Sequence, residues 1–320
     1  MTTKPISVAT LRSIIAPLLV WLCCIWATHA NANVLIVSSE SGAAYAQSRE
    51  AFIAELERGG KPRSEVRSVL AAQLASPNSL EPQRLIVTLG AEALRAVLAR
   101  APTAPVVASL IPRNVQERLL REASSRALPP ITAVYLDQPL GRQLDLLRLA
   151  LPEARRLGVL TSPDSASALA GLQSAAASRK MQLVNAQVEE SAGLYPALRS
   201  VLDGADVLLA LPDTRIYNST SISNVLLSSY RSRIPVQAFS PAYVRAGALM
   251  AVYSSTEQIG TQTAEVARQY LISGVLSAPA YPAEFLVDVN EHVARSLGLT
   301  LDAESLLERL QRLERQERRP

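Results

Sequence analysis

From residue 34 onward, short unbroken apolar runs alternate with longer stretches whose apolar positions recur every three or four residues. Val34-Leu35-Ile36-Val37 is followed by the polar Ser38-Ser39-Glu40-Ser41-Gly42 and a helical segment to about Arg58. Arg84-Leu85-Ile86-Val87-Thr88 leads through Gly90 into a helix from Ala91 to Arg100, and 105–109 and 131–135 are two further strands. Each run is continuous, which fits strands buried on both faces of a parallel sheet.

The cycle then restarts. Leu157-Gly158-Val159-Leu160 predicts a strand, 165–178 an Ala-rich helix, 182–188 a strand and 194–202 a helix. Residues 206–211 lead through a polar loop into a helix around 219–231, and strands at 235–239 and 248–252 close the series. Two β/α series of four or five strands each predict an α/β protein of two lobes, each a parallel sheet flanked by helices. Strand, polar loop, helix, Pro-Val strand and serine describe both 85–109 and 207–240, a local echo that fits duplicated lobes. Leucines at 306, 307, 310 and 313 among alternating charges predict an amphipathic helix packed on the second lobe.

The start of the chain follows a different pattern. Lys4 and Arg12 precede an apolar run from Ser13 to Ile25, and small residues end in Ala30-Asn31-Ala32. A basic region, a short apolar core and an A-x-A site are the parts of a secretory signal, and the core is too short for a transmembrane helix. The expectation is a signal peptide over 1–32, cleaved after Ala32, and a periplasmic mature chain. Both cysteines and both tryptophans lie in this segment, so residues 33–320 carry no Cys, no Trp and one histidine, His292. That excludes a thiol nucleophile, disulfides and a Cys/His zinc site, and it leaves a Ser-His-Asp hydrolase only His292. Hydrophobic residues make up 48% and charged residues 19% of the 320, enough apolar material to exclude a disordered chain. Losing Lys4 and Arg12 halves the net charge of +4, which leaves no basic surface for nucleic acid. No metal and no cofactor is expected.

In open α/β sheets ligands bind beyond the carboxyl ends of the strands. The residues there are Ser38, Ser39, Thr88, Gly90 and Ser109 in the first lobe, and Thr161, Ser162, Asp213, Tyr217, Asn218 and Ser240 in the second. Hydroxyls and backbone N–H groups suit a small polar or anionic group. Ser38, Ser39, Ser162 and Asn218 equally suit helix caps. Gly90 suits a tight strand-to-helix turn, and it lacks the repeated glycines of a dinucleotide site. Asp213, directly after an apolar strand, is either a ligand contact or an exposed turn residue. With few aromatics, ring stacking on a ligand would fall to Tyr217 and Tyr253.

The run Tyr135-Leu136-Asp137-Gln138-Pro139, Gln143-Leu144, Leu151-Pro152, Gly158-Val159-Leu160 and Pro163 resembles the ABC transporter substrate-binding family that includes tryptophan- and tyrosine-binding members. Ile234-Pro235-Val236, Gly247-Ala248-Leu249, Tyr253, Gly260-Thr261-Gln262-Thr263-Ala264 and Val289-Asn290 through Leu297-Gly298-Leu299 continue the likeness in order. The resemblance implies a type I periplasmic binding fold with three hinge crossings near 136–139, 253–256 and 280–284. It divides the chain into an N-terminal lobe of 33–137 with 255–282 and a C-terminal lobe of 138–254 with 283–320. It implies a non-catalytic, monomeric binding protein that captures a small polar organic molecule between the lobes and delivers it to an ABC permease in the inner membrane. A sensing or accessory module on the same fold is the alternative. Ser162 stands where the family often has Asn, and Ser240-Pro241-Ala242 lacks the family's acid. Both departures count against an α-amino acid ligand, whose ammonium wants a fixed anion.

Overall fold

The computed structural model describes residues 33–74, 80, 83–124, 127–190 and 193–317; the signal-peptide reading of 1–32 lies outside them. Five strands form the first sheet: β1 (Val34–Ser38), β2 (Val66–Leu70), β3 (Leu85–Leu89), β4 (Val106–Ile111) and β5 (Ile131–Tyr135). Their order is β2-β1-β3-β4-β5 and every pair is parallel. The second sheet holds β6 (Arg156–Thr161), β7 (Gln182–Gln187), β8 (Val207–Leu209), β9 (Val236–Ala238), β10 (Met250–Tyr253) and β11 (Leu286–Val289). Its order is β11-β10-β9-β8-β6-β7, and β11 runs antiparallel to β10, a departure from the all-parallel expectation. No described helix is long and apolar enough to cross a membrane.

Alternate residues of the same strands feed opposite cores, as the two-residue period of a strand requires. Leu35, Val37, Ile86 and Val106 meet Leu94 and Leu119 from helices α2 (Ala91–Leu98) and α3 (Arg113–Glu122), with α1 (Ala43–Arg58) preceding them on the opposite face. There Val34, Ile36, Leu85 and Val107 meet Phe52 and Leu56 of α1, together with Ile259, Ala264 and Leu271. The second sheet repeats the scheme. One face packs on α4 (Leu140–Ala150) and α5 (Leu169–Ser178), the other on α6 (Leu194–Gly204), α7 (Ile222–Arg231) and α8 (Pro241–Ala246).

Three segments carry the chain between the sheets. The first joins β5 to α4, and the second joins β10 to α9 (Thr256–Ser273), which returns to cover α1. Gly260 makes that return tight, since a Cβ there would sit 2.3 Å from the Ser48 carbonyl oxygen. The third leaves α9 at Gly274, whose φ of +73° glycine adopts without strain. Ala280 then pairs with Val134 at the edge of β5 before the chain reaches β11, α10 (Glu291–Ser296) and α11 (Ala303–Glu317).

A polar knot ties the crossings together. Arg142 of α4 is 4% exposed; its guanidinium donates to both Glu314 carboxylate oxygens (2.5 and 3.0 Å), to Gln138 Oε1 (2.6 Å) and to the Pro282 carbonyl (2.9 Å). It also stacks 4.0 Å from the Phe285 ring centroid. Gln138 Nε2 donates to Ser254 Oγ (2.9 Å), whose hydroxyl donates to the Glu284 carbonyl (2.5 Å). All three crossings and α11 therefore share one hydrogen-bonded cluster.

Candidate functional site

A cavity of about 300 Å³ opens where the loops after β4, β6 and β8 meet the first and third crossings. At the end of β4 the pairing register with β5 shifts at Leu110, which holds a left-handed φ of +52°, costly for a leucine. The chain then turns through Pro112 into α3, so Arg113, Asn114 and Glu117 line one wall. The first crossing supplies Asp137 and Gln138, and α4 adds Leu140 and Gln143. From the second lobe come Ser165, Ser167 and Ala168 after β6, with Leu211 and Pro212 after β8. Tyr281 of the third crossing completes the lining, its ring 5.2 Å from that of Tyr135. Asn114 Nδ2 donates to the Asp164 carbonyl (3.1 Å), a direct bond from lobe to lobe.

The charges in the wall are arranged unevenly. Arg113 Nε donates to Glu117 Oε1 (2.7 Å) and its NH1 to the Tyr281 hydroxyl (3.2 Å), so this cation is already engaged. Those partners, Tyr281 first and Glu117 next, hold its acidity below that of a free guanidinium. Asp137 Oδ1 accepts the Arg113 backbone N–H (2.8 Å), and among the described residues no side-chain cation is ion-paired with it. Burial pushes the Asp137 carboxyl up to about 6, against the opposing pull of that backbone bond.

None of the twelve residues singled out from the sequence lines this cavity. Ser162 and Ser165 both donate to Asp213 Oδ2 (2.6 Å each), and Asp213 Oδ1 accepts the Arg215 N–H (3.0 Å). Asp213 is 2% exposed, a buried brace between the loops after β6 and β8 and not an exposed turn residue. Ser39 Oγ donates to the Leu89 carbonyl and accepts the Ala93 N–H, both 3.0 Å, which braces the start of α2. Gly90 forms the strand-to-helix turn at φ +92°, and a Cβ there would lie 2.6 Å from Ser39 Oγ. Ser109 Oγ lies 2.7 Å from Thr263 Oγ1 of α9, and Thr161 Oγ1 donates to Asn185 Oδ1 (3.2 Å).

Ser38 is buried at the end of β1, and Thr88 is buried in β3 with a hydroxyl that finds no hydrogen-bond partner among the described residues. Asn218 Oδ1 accepts the N–H groups of Thr220 and Ser221, closing a local turn. Tyr217 is buried edge-on to Phe239 (6.3 Å), and burial raises its hydroxyl pKa. Ser240 precedes Pro241 as the N-cap residue of α8 without a side-chain bond, and Tyr253 ends β10 half-buried. Asp137 escaped the sequence reading although it follows an apolar strand by two residues, the same signal that picked out Asp213.

A family described as ABC transporter substrate binding protein matches residues 66–308. A ligand-free, open substrate-binding protein with adhesive properties from Clostridium difficile aligns with TM-score 0.68 at 19% identity, over 86% of this chain and 97% of that one. A conserved domain protein from Vibrio cholerae aligns with TM-score 0.62 at 22% identity, over 87% and 98% of the two chains. An ABC domain from Streptococcus pneumoniae in complex with L-Trp gives TM-score 0.60 at 17% identity, over 86% and 98%. No curated protein matches the sequence. Two parallel-sheet lobes joined by three crossings are the type I periplasmic binding fold. With a family match that covers most of its length, the chain belongs to the ABC transporter substrate-binding protein family.

Proposed function

We propose that this is a periplasmic solute-binding protein, exported by residues 1–32, that captures a small organic ligand between its lobes and delivers it to an ABC permease. The observation that carries the reading is the position of the cavity. Its wall draws on both lobes and on two of the three crossings, so a ligand there touches every part that moves when the lobes swing. The moving bodies are 33–137 with 255–282 and 138–254 with 283–320, acting as a monomer. Asn114 on one lobe and Asp164 on the other supply a latch that the ligand reinforces. A ligand bound better by the closed arrangement shifts the population toward it.

Small-angle scattering of the protein, stripped of small molecules and then incubated with the small-molecule fraction of its own source cells, tests the reading. Binding should reduce the radius of gyration without changing helix content. Saturating binding with an unchanged radius would refute hinge closure.

A further inference from the structure

The third crossing is held from both lobes at a single peptide unit. The Pro282 carbonyl accepts the Arg142 guanidinium of α4 (2.9 Å), and the Ala283 N–H at the other end of the same peptide donates to Gln262 Oε1 of α9 (2.8 Å). Arg142 belongs to the second lobe. Gln262 belongs to the first, where Gly260 seats α9 against the Ser48 carbonyl of α1. The residues just before this peptide are fixed to the first lobe as well. Ala280 pairs with β5, the Tyr281 hydroxyl accepts Arg113 (3.2 Å), and the Tyr281 carbonyl accepts Gln262 Nε2 (3.1 Å). Little free torsion remains between these anchors and the Arg142 bond, because the Pro282 ring locks its own φ and confines Tyr281 to extended backbone.

The other two crossings are built differently. In the first, the Leu136 N–H donates to the Ile111 carbonyl of β4 (3.0 Å) and Gln138 joins the Arg142 cluster, so Asp137 lies between the two anchors. In the second, Ser254 joins that cluster while Ser255 Oγ accepts the Gln258 N–H (3.1 Å) and caps α9, so the chain changes lobes at the 254–255 link. Among the described residues, neither link has a peptide unit bonded at one end to each lobe.

We infer that the third crossing is a strap that limits rotation of the lobes, that Gln262 is the positioning residue that sets it, and that the first two crossings bend at Asp137 and at the 254–255 link. The inference rests on the solute-binding reading and names what resists the swing of its lobes. Turning the lobes about those two links must break one of the two bonds to the 282–283 peptide. The Arg142 bond is the harder one to lose, since that guanidinium is buried and shared with Gln138 and Glu314. Gln262 is only half-buried, so water can replace its bonds at the modest net cost of an ordinary hydrogen bond. The strap therefore lets go at Gln262, and the Arg142 cluster stays with the second lobe.

The test measures the lobes directly in the exported protein, stripped of small molecules. Residues 33–320 contain no cysteine, so Glu57→Cys on α1 and Ser200→Cys on α6 place one spin label on each lobe. Double electron–electron resonance then reads the distance between them. With Gln262 intact the distances should form one narrow population. Gln262→Met keeps the length of the side chain and removes both hydrogen bonds, and it should raise the share of other lobe arrangements by about two- to tenfold. Gln47→Met is the control. Gln47 Oε1 accepts the Thr256 hydroxyl (3.0 Å) within the first lobe, so a like loss at the same helix should leave the distances as in wild type. Melting curves of the labelled samples show that each variant is folded. A Gln262→Met distribution that matches wild type would overturn the strap, as would a Gln47→Met distribution as broad as that of Gln262→Met. Wild type already spread over several arrangements would overturn it too. Because no ligand enters the measurement, compaction by the cell-derived fraction decides the solute-binding reading separately.

Discussion

Replacing Asp213 by alanine should cost stability, because the side chain is a buried brace. The carboxylate is 2% exposed and receives two serine hydroxyls at 2.6 Å and one backbone N–H at 3.0 Å. Alanine would strand the buried hydroxyls of Ser162 and Ser165 and release the Arg215 N–H. A hydrogen bond to a charged group contributes about 1.5–3 kcal/mol, and the carboxylate's own desolvation offsets part of the sum. A net loss of roughly 3–5 kcal/mol follows, in the range seen when a buried polar network is broken. Asp213→Asn keeps an acceptor oxygen and the volume, so its loss should be about 1–2 kcal/mol. Urea unfolding followed by far-ultraviolet circular dichroism reads both, since residues 33–320 contain no tryptophan. For alanine the midpoint should drop by about 1–2 M. A drop under about 0.3 M, together with a lost ligand affinity, would show that Asp213 serves the ligand and not the fold.

Arg142→Met should destabilise the protein by about 3–5 kcal/mol, because Gln138 Oε1 and the Pro282 carbonyl lose their buried donor and Glu314 loses that cation; a melting temperature within 1 °C of wild type, on the order of experimental error, would refute the hinge knot as a stabilising element. Asp137 has a folded pKa near 6 against an ordinary 3.8, so the folded state holds its proton more tightly. Its contribution is therefore favourable below about pH 4 and is lost as pH rises to about 6. The shift sets a ceiling of about 3 kcal/mol, reduced to roughly 1–2 for partial solvent access. Ligand-free Asp137→Asn should accordingly be more stable than wild type at pH 7 and level with it at pH 4. Urea midpoints at the two pH values decide it, and a variant less stable at pH 7 refutes the sign.

The buried strands were legible because their own residues announce them. Val34-Leu35-Ile36-Val37 and Leu85-Ile86-Val87 are apolar on both faces, and every residue of β1 and β3 is buried. Two of the edge strands were not. Val66-Arg67-Ser68-Val69-Leu70 and Leu286-Val287-Asp288-Val289 are half-exposed, mix polar and apolar residues, and are held in place by neighbours far along the chain. The site was harder for the same reason. Proximity to a strand end located Ser39, Ser162 and Asp213 correctly on the chain, yet their side chains turn to partners 48–54 residues away. Whether a strand-end hydroxyl serves a ligand or a neighbouring loop depends on that distant partner, which no local pattern contains. Asp137 and Tyr281 line one cavity only because two crossings run side by side.

The return of α9 to the first sheet also fixes when this protein is able to fold. Phe52, Leu56 and the buried face of β1 and β3 have no complete cover until Ile259 through Leu271 have been synthesised. The core of the second sheet waits for Leu306 and Leu310. Neither lobe is thus a contiguous stretch that a ribosome could release as a finished unit. A chain emerging from its N-terminus keeps its apolar strands unburied for most of its synthesis, which slows folding and exposes it to aggregation. Loss of the last few turns would therefore leave an incomplete core, so a nascent chain interrupted near residue 250 is a substrate for chaperones or proteases instead of a half-sized receptor.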